Sequence, residues 1–216
     1  VAKGSHLCEI LIAAAENGKD VTVLMELRAR FDEANNIAWA ERLEDAGCTV
    51  IYGSEGFKCH SKICQVTYHD ASGISRITCL GTGNFNEKTA RLYSDFMLLT
   101  AHPGIAEDGN VFFRNLSLGN LRGQYKYLGV APLSLKPLVM RGIDREIGRA
   151  RRGEAAKIFL KMNSLTDRDV IDKISEACEA GVDVQMTIRG IACIKAGVPG
   201  KTDGLEVRQI VGRFLE

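Results

Sequence analysis

The sequence lacks any apolar run approaching the roughly 18 residues of a spanning helix, and no secretory signal opens it. It has no surplus of either charge: 28 Lys and Arg against 27 Asp and Glu leave a net charge of +1. That balance argues against a broadly basic nucleic-acid binder, but not against a local anion site. No CxxC pair exists, and the seven cysteines follow no regular spacing. A disulfide scaffold or a zinc knuckle is therefore not expected, and a reduced, cytoplasmic protein is. Val1 is not preceded by an initiator Met, and the closing run Arg213-Phe214-Leu215-Glu216 reads as mid-element, so the chain reads as a fragment. What is present is ordinary globular material: 216 residues, 45% hydrophobic and 25% charged. This excludes whole-chain disorder and allows one large domain or two small ones.

Helical spacing at 7–17 ends at Gly18, and an apolar strand follows at 20–27. A second helix spans 33–46, stopped by Gly47, with Trp39 expected in the core. A second strand spans Cys48–Tyr52. Residues 57–67 alternate and predict a third strand, with Ile74–Cys79 as its hairpin partner across the Asp70–Gly73 turn. Another strand is predicted at 91–99, and weaker periodicity runs from Pro103 to about Gly129. Beyond it the pattern gives a helix at 134–151, a strand at 155–162, a helix at 166–180 and a strand at 182–188. Alternating β and α elements make the class α/β. A boundary near 120–128 gives two lobes, 1–125 and 126–216, the second incomplete.

Shifting the chain by 163 lays residues 14–21 (AAENGKDV) over 177–184 (ACEAGVDV), with five of eight identical. Either the lobes are duplicated, or this is the common helix–Gly–strand unit of α/β proteins.

Three stretches carry chemistry. The first is Lys58-Cys59-His60-Ser61-Lys62. On a strand, His60 and Lys62 would share one face. A lysine supplies charge to a phosphate, and a neutral histidine is a nucleophile. HxK alone also fits an edge strand with both side chains in water. The second is Leu80-Gly81-Thr82-Gly83-Asn84-Phe85-Asn86, a turn whose backbone N–H groups could cradle a phosphate, followed by Lys88 and Arg91. An ordinary loop has the same composition. The third is Glu26-Leu27-Arg28-Ala29-Arg30 at the end of a buried strand, with Arg189-Gly190 placed similarly in the second lobe. Ligands gather at such strand ends, although a solvated arginine is the plainer reading of each.

Together these stretches resemble the carboxy-terminal half of the polyphosphate kinase family. The matching runs are VTVLMELRARFDEANN, FKCHSKIC, GTGNFNEKTARLYSDF, APLSLKP, IDREI and the Arg-Gly at 189–190. GTGNFNEKTARLY is long and specific, and the resemblance covers essentially the whole chain. It implies an α/β fold of two phospholipase D-like lobes with mixed sheets flanked by helices, the second lobe truncated. Residue by residue, it implies that His60 becomes phosphorylated and that Lys62 and Asn84 contact the phosphoryl group. Tyr93 and Arg189 match ATP-binding residues. Arg30 matches an arginine at the magnesium site; a guanidinium cannot ligate a cation, so Arg30 reads as a phosphate contact beside the metal. The family's other magnesium-site arginine would fall just before Val1, and its second histidine just after Glu216. Cys79 stands where the family usually has His, and Thr67 where phospholipase D-like enzymes have Asp.

The implied activity is reversible transfer of the ATP γ-phosphate to inorganic polyphosphate through a phosphohistidine, with Mg2+ as cofactor. The implied partners are ATP or ADP and polyphosphate, without nucleic acid, in a homo-oligomeric parent. The implied location is cytoplasmic, with or without membrane association. The competing readings are a phospholipase D-like phosphodiesterase and an inactive nucleotide- or polyphosphate-binding fragment.

Overall fold

A computed structural model describes residues 1–27, 33–53, 56–71 and 73–210. The chain divides into two compact units, Val1–Leu128 and Gly129–Glu216.

The first unit begins with α1 (His6–Glu16), β1 (Thr22–Met25), α2 (Glu33–Asp45) and β2 (Thr49–Tyr52). Ser5 caps α1 by accepting the Cys8 N–H. Strands β1 and β2 pair in parallel, Thr22 with Thr49 through Met25 with Tyr52. Their core is Cys8, Ile12, Val21, Met25, Trp39, Ala40 and Leu43. Trp39 is buried there as expected; its indole N–H donates to the Ala2 carbonyl at 3.0 Å. Then come β3 (Ile63–Asp70), β4 (Gly73–Gly81), a 3-10 turn (Thr89–Arg91), β5 (Met97–Thr100) and α3 (Pro103–Ser117). These three strands form an antiparallel sheet in the order β3-β4-β5.

The second unit holds α4 (Leu135–Arg151), β6 (Lys157–Met162), α5 (Arg168–Glu179), β7 (Asp183–Ile188) and β8 (Leu205–Gln209). Its sheet is parallel, in the order β6-β7-β8. Ile158, Val184, Met186 and Ile188 meet Ile143, Ile147 and Ile174 of the helices in one core. The basic run Arg149–Arg152 is paired: Arg149 with Glu146 and Glu154, Arg151 with Glu176, Arg152 with Glu154. It is an ion-paired helix end.

The 163-residue offset reappears as geometry. In α1, the Lys19 N–H donates to Ala14 O and the Gly18 N–H to Ala15 O; in α5, Val182 donates to Ala177 and Gly181 to Cys178. Gly18 and Gly181 both take positive φ, 73° and 88°, which closes a helix without a Cβ penalty. The same closure occurs at Gly47 after α2, so local geometry alone does not single out a duplication.

Three elements differ from the sequence expectation. Strand β3 starts at Ile63, not at residue 57. Its partner β4 ends at Gly81 and the chain turns there toward β5, leaving residues 57–61 without a ladder partner. The strand expected at 91–99 is only β5, Met97–Thr100. The Asn86 carboxamide accepts the Lys88 and Thr89 N–H groups and winds the preceding residues into the 3-10 turn.

Helix α3 occupies the stretch of weak periodicity. Pro103 sits in its first turn, and His102 caps it, Nδ1 accepting from Gly104 and Ile105. Its pattern is blurred because Asp108 and Asn115 are buried polar residues. The Asp108 carboxylate accepts the N–H groups of Lys126, Tyr127 and Leu128 at 3.1, 2.6 and 2.8 Å. Asp108→Ala strands these amides and is expected to cost roughly 3 kcal/mol by chemical denaturation, with Asp108→Asn retaining part of it.

Candidate active site

The first unit assembles its site where β4 ends. Lys62 lies immediately before β3, and the Gly81 N–H donates to its carbonyl at 2.9 Å. This one backbone bond fixes the start of the glycine turn beside the HxK segment. A Cβ on Gly81 would stand 3.6 Å from the Lys62 Cβ.

His60 and Lys62 do not share a strand face, since both precede β3. They meet another way: the Lys62 ammonium curls back to donate to the His60 carbonyl at 2.6 Å. His60 is exposed and Lys62 half-buried. Partial burial still acts on both groups. It lowers the His60 pKa below 6.5, with the Lys62 and Lys58 charges adding to the shift. It also lowers the Lys62 pKa, with Lys58 adding and Asp95 opposing. The shift biases the imidazole toward the neutral form, the form in which a histidine can be a nucleophile.

The sign follows. A depressed histidine pKa favours the fold above 6.5, and that contribution is lost as pH falls through the folded-state value. Removing a neighbouring cation works the other way. Lys58→Ala is expected to move the His60 midpoint up toward 6.5 in an NMR titration of the imidazole; an unmoved midpoint would show that Lys58 does not act on it.

The turn is braced by residues that spacing did not reveal. The Thr82 N–H donates to Phe96 O at 3.0 Å, and the Phe96 N–H to Thr82 Oγ1 at 3.0 Å. The Thr82 hydroxyl donates to Asp95 Oδ1 at 2.9 Å. The Asp95 carboxylate fills the space that a side chain at residue 83 would need, so any larger residue there requires Asp95 or the turn to shift. Asp95 sits in the run Tyr93-Ser94-Asp95; its only signal was a carboxylate near a glycine turn. At the turn's far end, Glu87 Oε1 accepts the His6 N–H at 3.0 Å and ties the turn to α1.

Asn84 lies on the turn, exposed, and Tyr93 follows the 3-10 turn, half-buried. Arg189 belongs to the second unit, just past the carboxyl end of β7. Its Nε donates to Asn163 Oδ1 at 2.6 Å. The structure thus gathers His60, Lys62 and the Gly81–Asn84 turn at one end of the β3–β4 hairpin and sets Arg189 on a strand end of its own unit. Arg30 lies outside the described residues. Among those described, no three His, Cys, Asp or Glu side chains are grouped to hold a metal ion. No described helix is long and apolar enough to cross a membrane.

Comparison with known proteins gives a consistent family. Residues 1–121 match the family described as "Polyphosphate kinase C-terminal domain 1", and residues 128–216 match "Polyphosphate kinase C-terminal domain 2". The polyphosphate kinase of Staphylococcus saprophyticus is 50% identical over all 216 residues, which cover 30% of its length. That of Rhodopirellula baltica is 42% identical over 215 residues, 25% of its length. The crystal structure of polyphosphate kinase from Porphyromonas gingivalis superposes with a TM-score of 0.86 at 39% identity, covering the whole chain and 36% of that protein. The chain therefore spans about a third or less of the proteins it matches.

Proposed function

This chain belongs to the polyphosphate kinase family, and from that premise we propose that it carries the phosphohistidine half of a reversible ATP:polyphosphate phosphotransfer. The observation that carries the reading is the joint at the β3–β4 end, where a neutral-biased histidine, a lysine and a glycine turn converge.

In the proposed reaction, the unprotonated ring nitrogen of His60 attacks the γ-phosphorus of ATP. A nitrogen–phosphorus bond forms, the bond to the β-phosphate oxygen breaks, and ADP leaves. The terminal oxygen of a polyphosphate chain then takes the phosphoryl group and frees the imidazole; the reverse sequence makes ATP. Phosphoryl transfer asks the protein mainly for positioning and charge. Lys62 supplies a cation at the transferred group and Asn84 a donor; the Gly81 and Thr82 N–H groups are already given to the Lys62 and Phe96 carbonyls and shape the turn instead. Tyr93 and Arg189 would hold the nucleotide, and Arg30 its phosphates. Magnesium supplies charge neutralisation when bound. Thr67, where phospholipase D-like hydrolases use Asp, supports a kinase over a phosphodiesterase. We read the two units as successive phospholipase D-like lobes, and place the reaction in the cytoplasm of a homo-oligomeric parent.

The test is incubation with γ-labelled ATP and magnesium. Acid-labile, base-stable label on the protein is the expected result. Absence of label on this chain, and on one extended at both ends, would overturn the reading.

A further inference from the structure

His60 lies in a segment, 57–62, that the β-ladder does not hold. Its C-terminal end is fixed by the Gly81–Lys62 backbone bond. Its N-terminal side needs another anchor, because a nucleophile displaced by about 1 Å can lose on the order of 100-fold in rate.

That anchor is a side chain from a different element. The Cys59 N–H, adjacent to His60, donates to Glu26 Oε2 at 2.9 Å. Glu26 directly follows β1, so the rigid parallel pair β1–β2 stands behind it. Its own carbonyl accepts from Asn36 Nδ2 at 3.1 Å, and Asn36 is buried on α2. Gly53, just past β2, lies beside the same carboxylate; a Cβ there would stand 3.5 Å from Oε2. A carboxylate accepting a backbone N–H makes a short, charge-assisted bond. A neutral side chain could keep the geometry but not the charge.

We propose that Glu26 is a positioning residue for the phosphoryl-accepting histidine, carrying the order of the β1–β2 end to the Cys59 amide and so fixing the backbone of His60. The catalytic part of this inference rests on the function proposed above; the structural part does not.

The test uses the 216-residue chain as wild type, Glu26→Gln and Glu26→Ala, each 15N-labelled. In Glu26→Ala, the Cys59 amide is expected to shift upfield and to exchange with solvent at least about tenfold faster. The His60 imidazole resonances should move with it, while the β1–β2 amides stay in place. With γ-labelled ATP, the labelling rate at saturating nucleotide should fall roughly 10- to 100-fold, with the half-saturating ATP concentration unchanged. Glu26→Gln, which keeps an acceptor oxygen, should lie between the two on every readout and decides the matter if Glu26→Ala does not fold. An unmoved Cys59 amide and His60 imidazole in the variants would overturn the proposal. So would a rate loss recovered entirely by more ATP. If the wild type takes no label, the kinase reading fails for this chain, while the amide and imidazole shifts still decide the positioning role.

Discussion

His60→Ala is expected to reduce ATP-derived label on the chain to background, whereas His69→Ala and His102→Ala keep it. Four histidines are present, and their settings separate them. His60 stands beside the start of the glycine turn with Lys62 folded back on its carbonyl, whereas His6, at the start of α1, reaches the turn's far end only through its backbone N–H to Glu87. Its charged form is disfavoured by burial and by two lysines, so the nucleophilic form persists below the pH at which a free imidazole titrates. His102 is committed as a helix cap, its Nδ1 accepting two N–H groups. Its loss should cost about 1 kcal/mol of stability and little labelling. His69 sits exposed in β3 at the turn-proximal end of the hairpin, opposite to the end where the site forms. Label retained in His60→Ala, or lost only in His102→Ala, would move the nucleophile elsewhere.

Gly83→Ala is expected to lower the labelling rate on the order of 100-fold while the protein still folds. The added methyl would collide with the Asp95 carboxylate, and neither partner yields freely: Asp95 holds the Thr82 hydroxyl, and Thr82 is locked to Phe96 through both backbone and side chain. Overpacking of this kind costs about 1–3 kcal/mol and is relieved by moving the turn away from Lys62. Asp95→Ala introduced into Gly83→Ala should restore part of the rate by freeing the space. Gly142→Ala is the control, since a Cβ there meets nothing within 4 Å. Wild-type labelling in Gly83→Ala would show that the turn does not shape the site.

How much of this was legible in the sequence depended on locality. The helix–Gly–strand units were readable because a positive-φ glycine, such as Gly18 or Gly181, closes a helix by rules confined to a few residues. The α/β class and the β3–β4 pairing were readable for a related reason. The β3–β4 hairpin, paired from Asp70 with Gly73 to Ile63 with Leu80, brings both its ends together.

Features that depend on distant partners were not readable. Alternation in 57–67 looked like a strand throughout, but a strand needs a ladder, and β4 leaves it at Gly81. Helix α3 was hidden because Asp108 serves three amides from the connector instead of the solvent. Asp95 and Glu26 looked like ordinary charges, and their roles appear only when the turn and the Cys59 amide are set against them.

The most direct test of the central assignment is to locate the phosphoryl group itself. The chain would be treated with ATP and magnesium at neutral pH, digested without acid, and sequenced by electron-transfer fragmentation in the mass spectrometer. The account requires phosphate on the imidazole of His60, within the peptide that also carries Cys59 and Lys62. Phosphate on any other residue, or net ATP-to-polyphosphate transfer with His60 unmodified throughout turnover, would contradict it.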